Sequence, residues 1–357
     1  MSFSRIRFRR FFGRLLLVAV PFALAFGVAE VALRKAAAKQ TANQEPAVVD
    51  SRWLTVESSA ELGWVFPADT SGTYRSSGRH TPVVTNAWGL RGPAVGDSMA
   101  LRVLVLGDSY AFGWGLEDRD GFVRLLETGL RGQDPVQPVE FINGGIPGFS
   151  IYQQIRMLEF VQARTDIHAV VATISLANDP IDEKRIRRYA PDRLEEFSYE
   201  WRDPASVAAK TIAASRLLTL LDQRTTHLQF SLVNTNRECR DLTEESLRNL
   251  AAACREADLP LVWVIVPRTL EIRPGSFLKR SLNGATDRLR RHFMALADEL
   301  AVPVIDLKPV LAEVQAREEA YLPGDAHWNE AGHRAVSAAV LPVLSAALSP
   351  GILSPQE

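Results

Sequence analysis

The stretch LRVLVLGDSYAFGWG, residues 101–115, sets the reading of the whole chain. From Leu101, five apolar residues and one arginine run without a break into Gly107-Asp108-Ser109-Tyr110. A short continuous apolar run that stops at turn-forming residues is the pattern of a strand buried on both faces. Glycine, aspartate and serine all favour turns. Ser109 is therefore either a nucleophile exposed at a strand end or one more polar residue closing a turn, and the other strand ends decide between the two.

Comparable apolar runs occupy 139–142, 169–175, 260–266 and 302–305, and helical periodicity is found near 119–132, 150–163, 243–257, 277–300 and 330–347. Buried strands alternating with helices predict an α/β fold with a parallel sheet covered on both faces. Sites in such sheets lie beyond the carboxyl ends of the strands. Those ends carry Ser109, then Asn143-Gly144-Gly145-Ile146-Pro147-Gly148, then Ala177-Asn178-Asp179, then Asp306, and further on Asp325-Ala326-His327. Together they form a parts list for acyl transfer. A serine hydroxyl needs an adjacent base, a histidine needs a carboxylate to orient it, and a tetrahedral oxyanion needs fixed donors.

These blocks resemble those of the SGNH (GDSL-type) hydrolase family, in its membrane-anchored bacterial branch. The arm before the first strand is also similar, through Asn86-Ala87-Trp88-Gly89-Leu90-Arg91. The resemblance implies a flavodoxin-like three-layer αβα fold over residues 101–350. It implies Ser109 as nucleophile, His327 as base and Asp325 as its orienting carboxylate. It further implies an oxyanion hole built from the backbone N–H groups of Ser109 and Gly148 and the side chain of Asn178. Two departures stand out. Leu176 holds the place of a glycine in the third block, and Asp325 lies two residues before His327 where the family has three. The shorter spacing alters how Asp325 meets the imidazole, and Asp306 is its substitute.

The remaining polar candidates have plainer expectations. Asn143 and Asp108 tie down their own turns. Asn329 caps the last helix, with Glu330 in its first turn. His333 is solvated on that helix, and Asp179 and Asp182 are solvated loop residues. Arg91 docks the arm by pairing with a carboxylate. Trp114 and Trp328 flank the nucleophile and the histidine, and either could stack on a sugar or belong to the core. His80, His168, His227 and His292 lack partners at metal-ligand spacing, so no metal is expected. No glycine-rich phosphate loop is present, so no nucleotide cofactor is expected.

The first 14 residues hold five arginines and no acid, and Leu15–Ala29 carries no charge. Counting Phe11–Leu33 gives a stretch able to span a bilayer, with its arginines cytoplasmic. Residues 1–35 are thus expected to be a signal anchor, the alternative being a cleaved signal. Residues 36–50 read as a linker and 51–100 as an irregular arm. Residues 180–242 read as an insertion that either caps the site or stands apart from it. A helix start at Asp241 would hold Cys239 and Cys254 too far apart to bridge, so both are expected as free thiols. A net charge of −1, from 41 basic and 42 acidic residues, gives no basic excess for nucleic acid.

The function expected is that of an exported, membrane-anchored serine esterase acting on O-acyl, chiefly acetyl, groups of an envelope or extracellular glycan. The first alternative is an O-acetyltransferase of exopolysaccharide modification, supplied by a membrane acyl-donor partner. The second is a degenerate glycan-binding or assembly protein.

Overall fold

The computed structural model describes residues 25–35, 56–76, 79–96, 100–189, 235–273 and 277–348, with a few isolated positions between them. The arm is not irregular. Strand β1 (Glu57–Ser59) pairs antiparallel with β2 (Gly63–Val65), and β3 (Ser71–Ser76) with β4 (Arg79–Val84). Leu62, Trp64, Phe66, Tyr74, Val83 and Leu90 turn inward and join the core of the main domain. The apolar area they remove from water holds the arm in place. The motif that closes the arm is built around Asn86. Its Oδ1 accepts the backbone N–H groups of Trp88 and Leu90 at 3.0 and 3.1 Å, and its Nδ2 donates to the Pro93 carbonyl.

The main sheet has five parallel strands in the order β6-β5-β7-β8-β9. They are β5 (Leu101–Gly107), β6 (Val139–Gly145), β7 (Ala169–Ser175), β8 (Leu261–Val266) and β9 (Val304–Asp306). β5 pairs with β6 on one side and β7 on the other. This is the flavodoxin-like order, whose connections diverge between β5 and β7 and leave a crevice at the carboxyl ends. Every residue of β5, β7 and β8 is buried. Their alternation then sends side chains to two separate cores. Leu104, Leu106, Val170, Ala172, Ile174, Trp263 and Ile265 face one side, whereas Val103, Val105, Val171, Val264 and Val266 face the other.

Helices cover both faces. The short helix α1 (Ser109–Phe112) follows β5, and α2 (Phe122–Gln133) leads to β6. Next come α3 (Ile151–Gln162), α4 (Asp179–Ile186), α5 (Arg237–Glu256), α6 (Thr269–Ile272), α7 (Phe277–Glu299), α8 (Leu307–Arg317) and α9 (Glu330–Leu348). Leu158, Leu247 and Phe293 bring α3, α5 and α7 onto the first core, and Leu126, Leu311 and Val340 bring α2, α8 and α9 onto the second. Helix α9 has the length and mean hydropathy (1.3) of a membrane span. Its buried stripe of Val336, Val340, Leu344 and Leu348 packs in the second core, and it is a core helix.

Two boundaries move. The insertion cannot begin at 180, because α4 starts at Asp179 and buries Ile181, Asp182, Glu183 and Ile186. Helix α5 begins at Arg237, capped by the Asn236 side chain, which accepts from Glu238 N–H at 3.0 Å. Cys239 and Cys254 both lie on this one helix as buried free thiols. The chain divides into two compact units, residues 49–198 with 230–357 and residues 1–48 with 199–229. In the second unit the helix over 25–35 exposes Phe26, Val28 and Val31. Its Glu30 pairs with Arg34 and accepts from Ser215 Oγ and Leu217 N–H at 2.8 and 2.9 Å. The linker 36–50 and most of the expected insertion between 190 and 234 lie outside the described residues.

Candidate active site

β5 stops at Gly107, where a Cβ would fall 1.9 Å from Thr173 Oγ1. Only glycine leaves room there for the Thr173 hydroxyl, which donates to the Leu106 carbonyl at 3.2 Å. Asp108 is buried and caps α1, its Oδ1 accepting from Tyr110 N–H at 2.9 Å. Ser109 thus stands half-buried at the first position of α1. Its backbone N–H is one that a helix start leaves without an intrahelical partner.

Two hundred and eighteen residues later the chain returns. His327 Nε2 lies 2.7 Å from Ser109 Oγ, and His327 Nδ1 lies 2.6 Å from Asp325 Oδ1. The same Asp325 oxygen accepts the His327 backbone N–H at 3.0 Å. That doubled contact is how a two-residue spacing suffices, since the carboxylate closes a small side-chain turn over its own loop. With Nδ1–H donated to Asp325, Nε2 is left to accept from the serine hydroxyl, the tautomer a general base requires. The Ala326 carbonyl between them receives Tyr110 Oη at 3.0 Å and Thr269 Oγ1 at 3.1 Å. Asp306 serves elsewhere. It caps α8 through Lys308 N–H and pairs with Arg290.

Asn178 follows β7, across the crevice from α1 in the topology. Its Oδ1 accepts from Ser175 Oγ at 2.6 Å and its Nδ2 donates to Asp182 Oδ2 at 3.1 Å. Leu176, in the glycine place, is fully buried and donates its N–H to the Val266 carbonyl. Gly148 closes the turn after β6 with φ 82°, a left-handed conformation that side chains resist. Asn143 ties that turn to α1, donating to the Ala111 carbonyl and accepting from Gly145 N–H, both at 3.0 Å.

Several expectations need correction. Trp328 is 0% exposed and packs on Tyr110, Phe122 and His333, so it cannot stack on substrate. Trp114 does reach the site. Its ring sits 5.9 Å from His327 and 4.7 Å from Tyr74 of the arm, and it is only partly buried. His333 is not solvated. It is buried, and its Nδ1 accepts from Phe122 N–H at 3.0 Å at the start of α2. Burial lowers its pKa to about 3. Asp179 and Asp182 are likewise buried. Asp179 accepts Ser175 N–H at 2.7 Å, and burial next to the Asp108 carboxyl pushes it well above the usual range. Burial raises Asp182 to about 7 against the opposing pull of Arg185 and Asn178. Burial also raises Asp108, opposed by Tyr110 N–H and by His327.

Arg91 docks the arm chiefly through carbonyls. It donates to Phe112, Gly113 and Leu116 at 2.8, 2.8 and 2.5 Å, while Asp118 stands at 3.9 Å. Tyr74 Oη accepts Gly115 N–H at 2.5 Å from the same loop. Sequence reasoning missed Ser175, Tyr74 and Thr269, whose partners are distant in the chain or across a strand end. It also undervalued Asp182, although Asn178 and Asp182 have the i, i+4 spacing that places two side chains together on a helix. Asn329 caps α9 as expected, accepting Gly332 N–H at 3.0 Å. Among the described residues no group of three or more His, Cys, Asp or Glu is placed to hold a metal ion.

The fold and this arrangement of serine, histidine and carboxylate are those of an ester-hydrolysing serine hydrolase. The sequence matches the GDSL-like lipase/acylhydrolase family over residues 105–335, and the chain belongs to that family. Solved structures similar to it include the acetyl xylan esterase AlAXEase, at 16% identity, covering 68% of this chain and 100% of that one, with a TM-score of 0.43. Others are LAE5, a hydrolase from the metagenome of Lake Arreo in Spain (17%, 70% and 98%, 0.43), and a variant of the acetyl xylan esterase Axe2 from Geobacillus stearothermophilus (18%, 68% and 93%, 0.40). No curated protein matches the sequence.

Proposed function

We propose that this chain is an exported serine esterase, held at the cytoplasmic membrane by its N-terminal segment, that removes O-acetyl groups from an envelope or extracellular glycan. The observation that carries the chemistry is the 2.7 Å contact between Ser109 Oγ and His327 Nε2, with Asp325 at 2.6 Å behind the ring. Ser109 attacks the ester carbonyl while His327 takes its proton. The tetrahedral oxyanion is met by the Ser109 and Gly148 N–H groups and the Asn178 amide. His327 then gives that proton to the sugar oxygen as its bond to the carbonyl carbon breaks, and water admitted to the acyl-enzyme is activated by the same histidine to release acetate. Trp114, standing partly open beside His327, is the surface on which a sugar ring would lie. The arginine-rich start and the uncharged run Leu15–Ala29 support the export and anchoring.

The test is hydrolysis of a chromogenic acetyl ester and of an O-acetylated oligosaccharide by the full-length chain. Ser109→Ala and His327→Ala are each expected to lower kcat by a factor of at least about a thousand with the fold intact. A serine-reactive phosphonate should label Ser109 in the wild type. Absence of both turnover and labelling would replace catalysis by glycan binding. Acetyl appearing on an added acceptor sugar in preference to water would make the chain a transferase.

A further inference from the structure

A side-chain amide has two ends of similar shape and opposite polarity. If Asn178 is to stabilise an oxyanion, its Nδ2 and not its Oδ1 must face the reacting carbonyl. A flipped amide would set an oxygen against the developing negative charge and lose the stabilisation altogether. The backbone of this turn gives no glycine to fix the residue, because Leu176 fills that place and is locked in the core. Two side chains supply what the backbone does not. The Ser175 hydroxyl is the donor to Oδ1, at 2.6 Å. The Asp182 carboxyl accepts at Oδ2, and it meets Nδ2 at 3.1 Å. Both groups are almost wholly buried, so water does not substitute for either. Asp182 is held in turn by Arg185, whose Nη1 lies 3.1 Å from its other oxygen. A flip would set the amide oxygen against the Asp182 carboxylate at one end and would force the Ser175 hydroxyl to turn from donor to acceptor at the other.

We propose that Ser175 and Asp182 are positioning residues that fix the polarity of the Asn178 amide for the transition state. The proposal rests on the reading of Asn178 as an oxyanion donor. Neither residue touches substrate, and each acts through Asn178. Their effect should therefore fall on kcat and leave KM almost unmoved, because the amide is needed only once charge has developed.

The experiment is a double-mutant cycle on the full-length chain with a chromogenic acetyl ester, with thermal melts run beside it. Asn178→Ala is expected to lower kcat by roughly 10²–10³. Asp182→Ala and Ser175→Ala are each expected to lower kcat by about tenfold or more at unchanged KM. Asp182→Asn, whose amide oxygen can still accept from Nδ2, should recover most of the loss. Each double variant with Asn178→Ala should be no slower than Asn178→Ala alone. Full additivity in the cycle, or wild-type kcat in both Ser175→Ala and a folded Asp182→Ala, would overturn the positioning role while leaving Asn178 as the donor. If Asp182→Ala does not fold, Ser175→Ala and its cycle decide by the same criteria. Wild-type kcat in Asn178→Ala would overturn the oxyanion reading itself, and the positioning role with it.

Discussion

A hydroxyl near neutrality attacks an ester only while another group is removing its proton, and an imidazole does that only in the correct tautomer. Here a single oxygen of Asp325 sets both the ring and the loop that carries it. Asp325→Asn presents an amide in its place, which can leave the proton on the wrong nitrogen. We expect kcat to fall by roughly 10³–10⁴ with little change in KM, measured by steady-state hydrolysis of a chromogenic ester. Retention of kcat would show that another group fixes the tautomer. The second histidine of the region behaves oppositely. His333 is buried neutral, with a pKa lowered to about 3 in the folded chain against about 6.5 unfolded. Below about pH 6.5 the unfolded chain takes up a proton that the folded chain refuses, so stability drains away as the pH falls. The slope is at most about 1.4 kcal/mol per pH unit. His333→Asn keeps an acceptor for Phe122 N–H without a titrating ring. Urea unfolding at pH 7 and pH 5 should show a smaller loss on acidification in the variant, by about 2 kcal/mol. Asp182 works in the other direction, because its raised pKa of about 7 adds stability as the pH falls, but it is common to both proteins and cancels in the comparison.

The elements differ in how much of themselves they show in sequence. The parallel strands were legible because burial on both faces leaves an unbroken apolar run. The long helices were legible from their stripes. Helix α1 and the β1–β2 hairpin were not, because three or four residues carry no measurable period, and the six-residue strands β3 and β4 were not because SGTYRS and RHTPVV hold no apolar run. The start of α5 was misplaced for a different reason. Asp241 and Asn236 are both good caps, and what favours Asn236 is that Cys239 finds a buried place on the added turn, where its carbonyl accepts from Thr243 Oγ1 at 2.8 Å. The arm matters to the site through one side chain. Arg91 satisfies three carbonyls of the loop that carries Trp114. Arg91→Met fills much of the same volume and leaves those carbonyls bare, at about 1–3 kcal/mol for each one that stays buried. A lower Tm is expected together with a lower kcat, read by melting and ester hydrolysis. A lower Tm with kcat intact would mean that the arm stabilises the domain without shaping the site.

At the scale of the molecule the net charge of −1 offers no reason to bind polyanions, and the N-terminal segment sets the expected location. Glu30 interrupts its apolar stretch, but Arg34, Ser215 and Leu217 all meet that carboxylate. A paired charge near a helix end is compatible with a span. The full-length chain is expected to stay in the membrane pellet after alkaline carbonate extraction, and a chain lacking residues 1–35 to be released. Release of the full-length chain would leave only a cleaved or peripheral segment.

Sequence alone determined the α/β class, the order of the five buried strands along the chain and the candidate catalytic residues, because each is written locally: an apolar run, a turn residue at its end, a base beside its acid. Tertiary structure decided the rest. It decided that a two-residue Asp–His spacing still orients the ring, that Trp328 is core and Trp114 is wall, and that Asp182 lies under Asn178. It also decided that His333 is buried and neutral. These are statements about which side chains share a volume. Sequence periodicity says which way a residue faces, and only the packed fold says what it meets there.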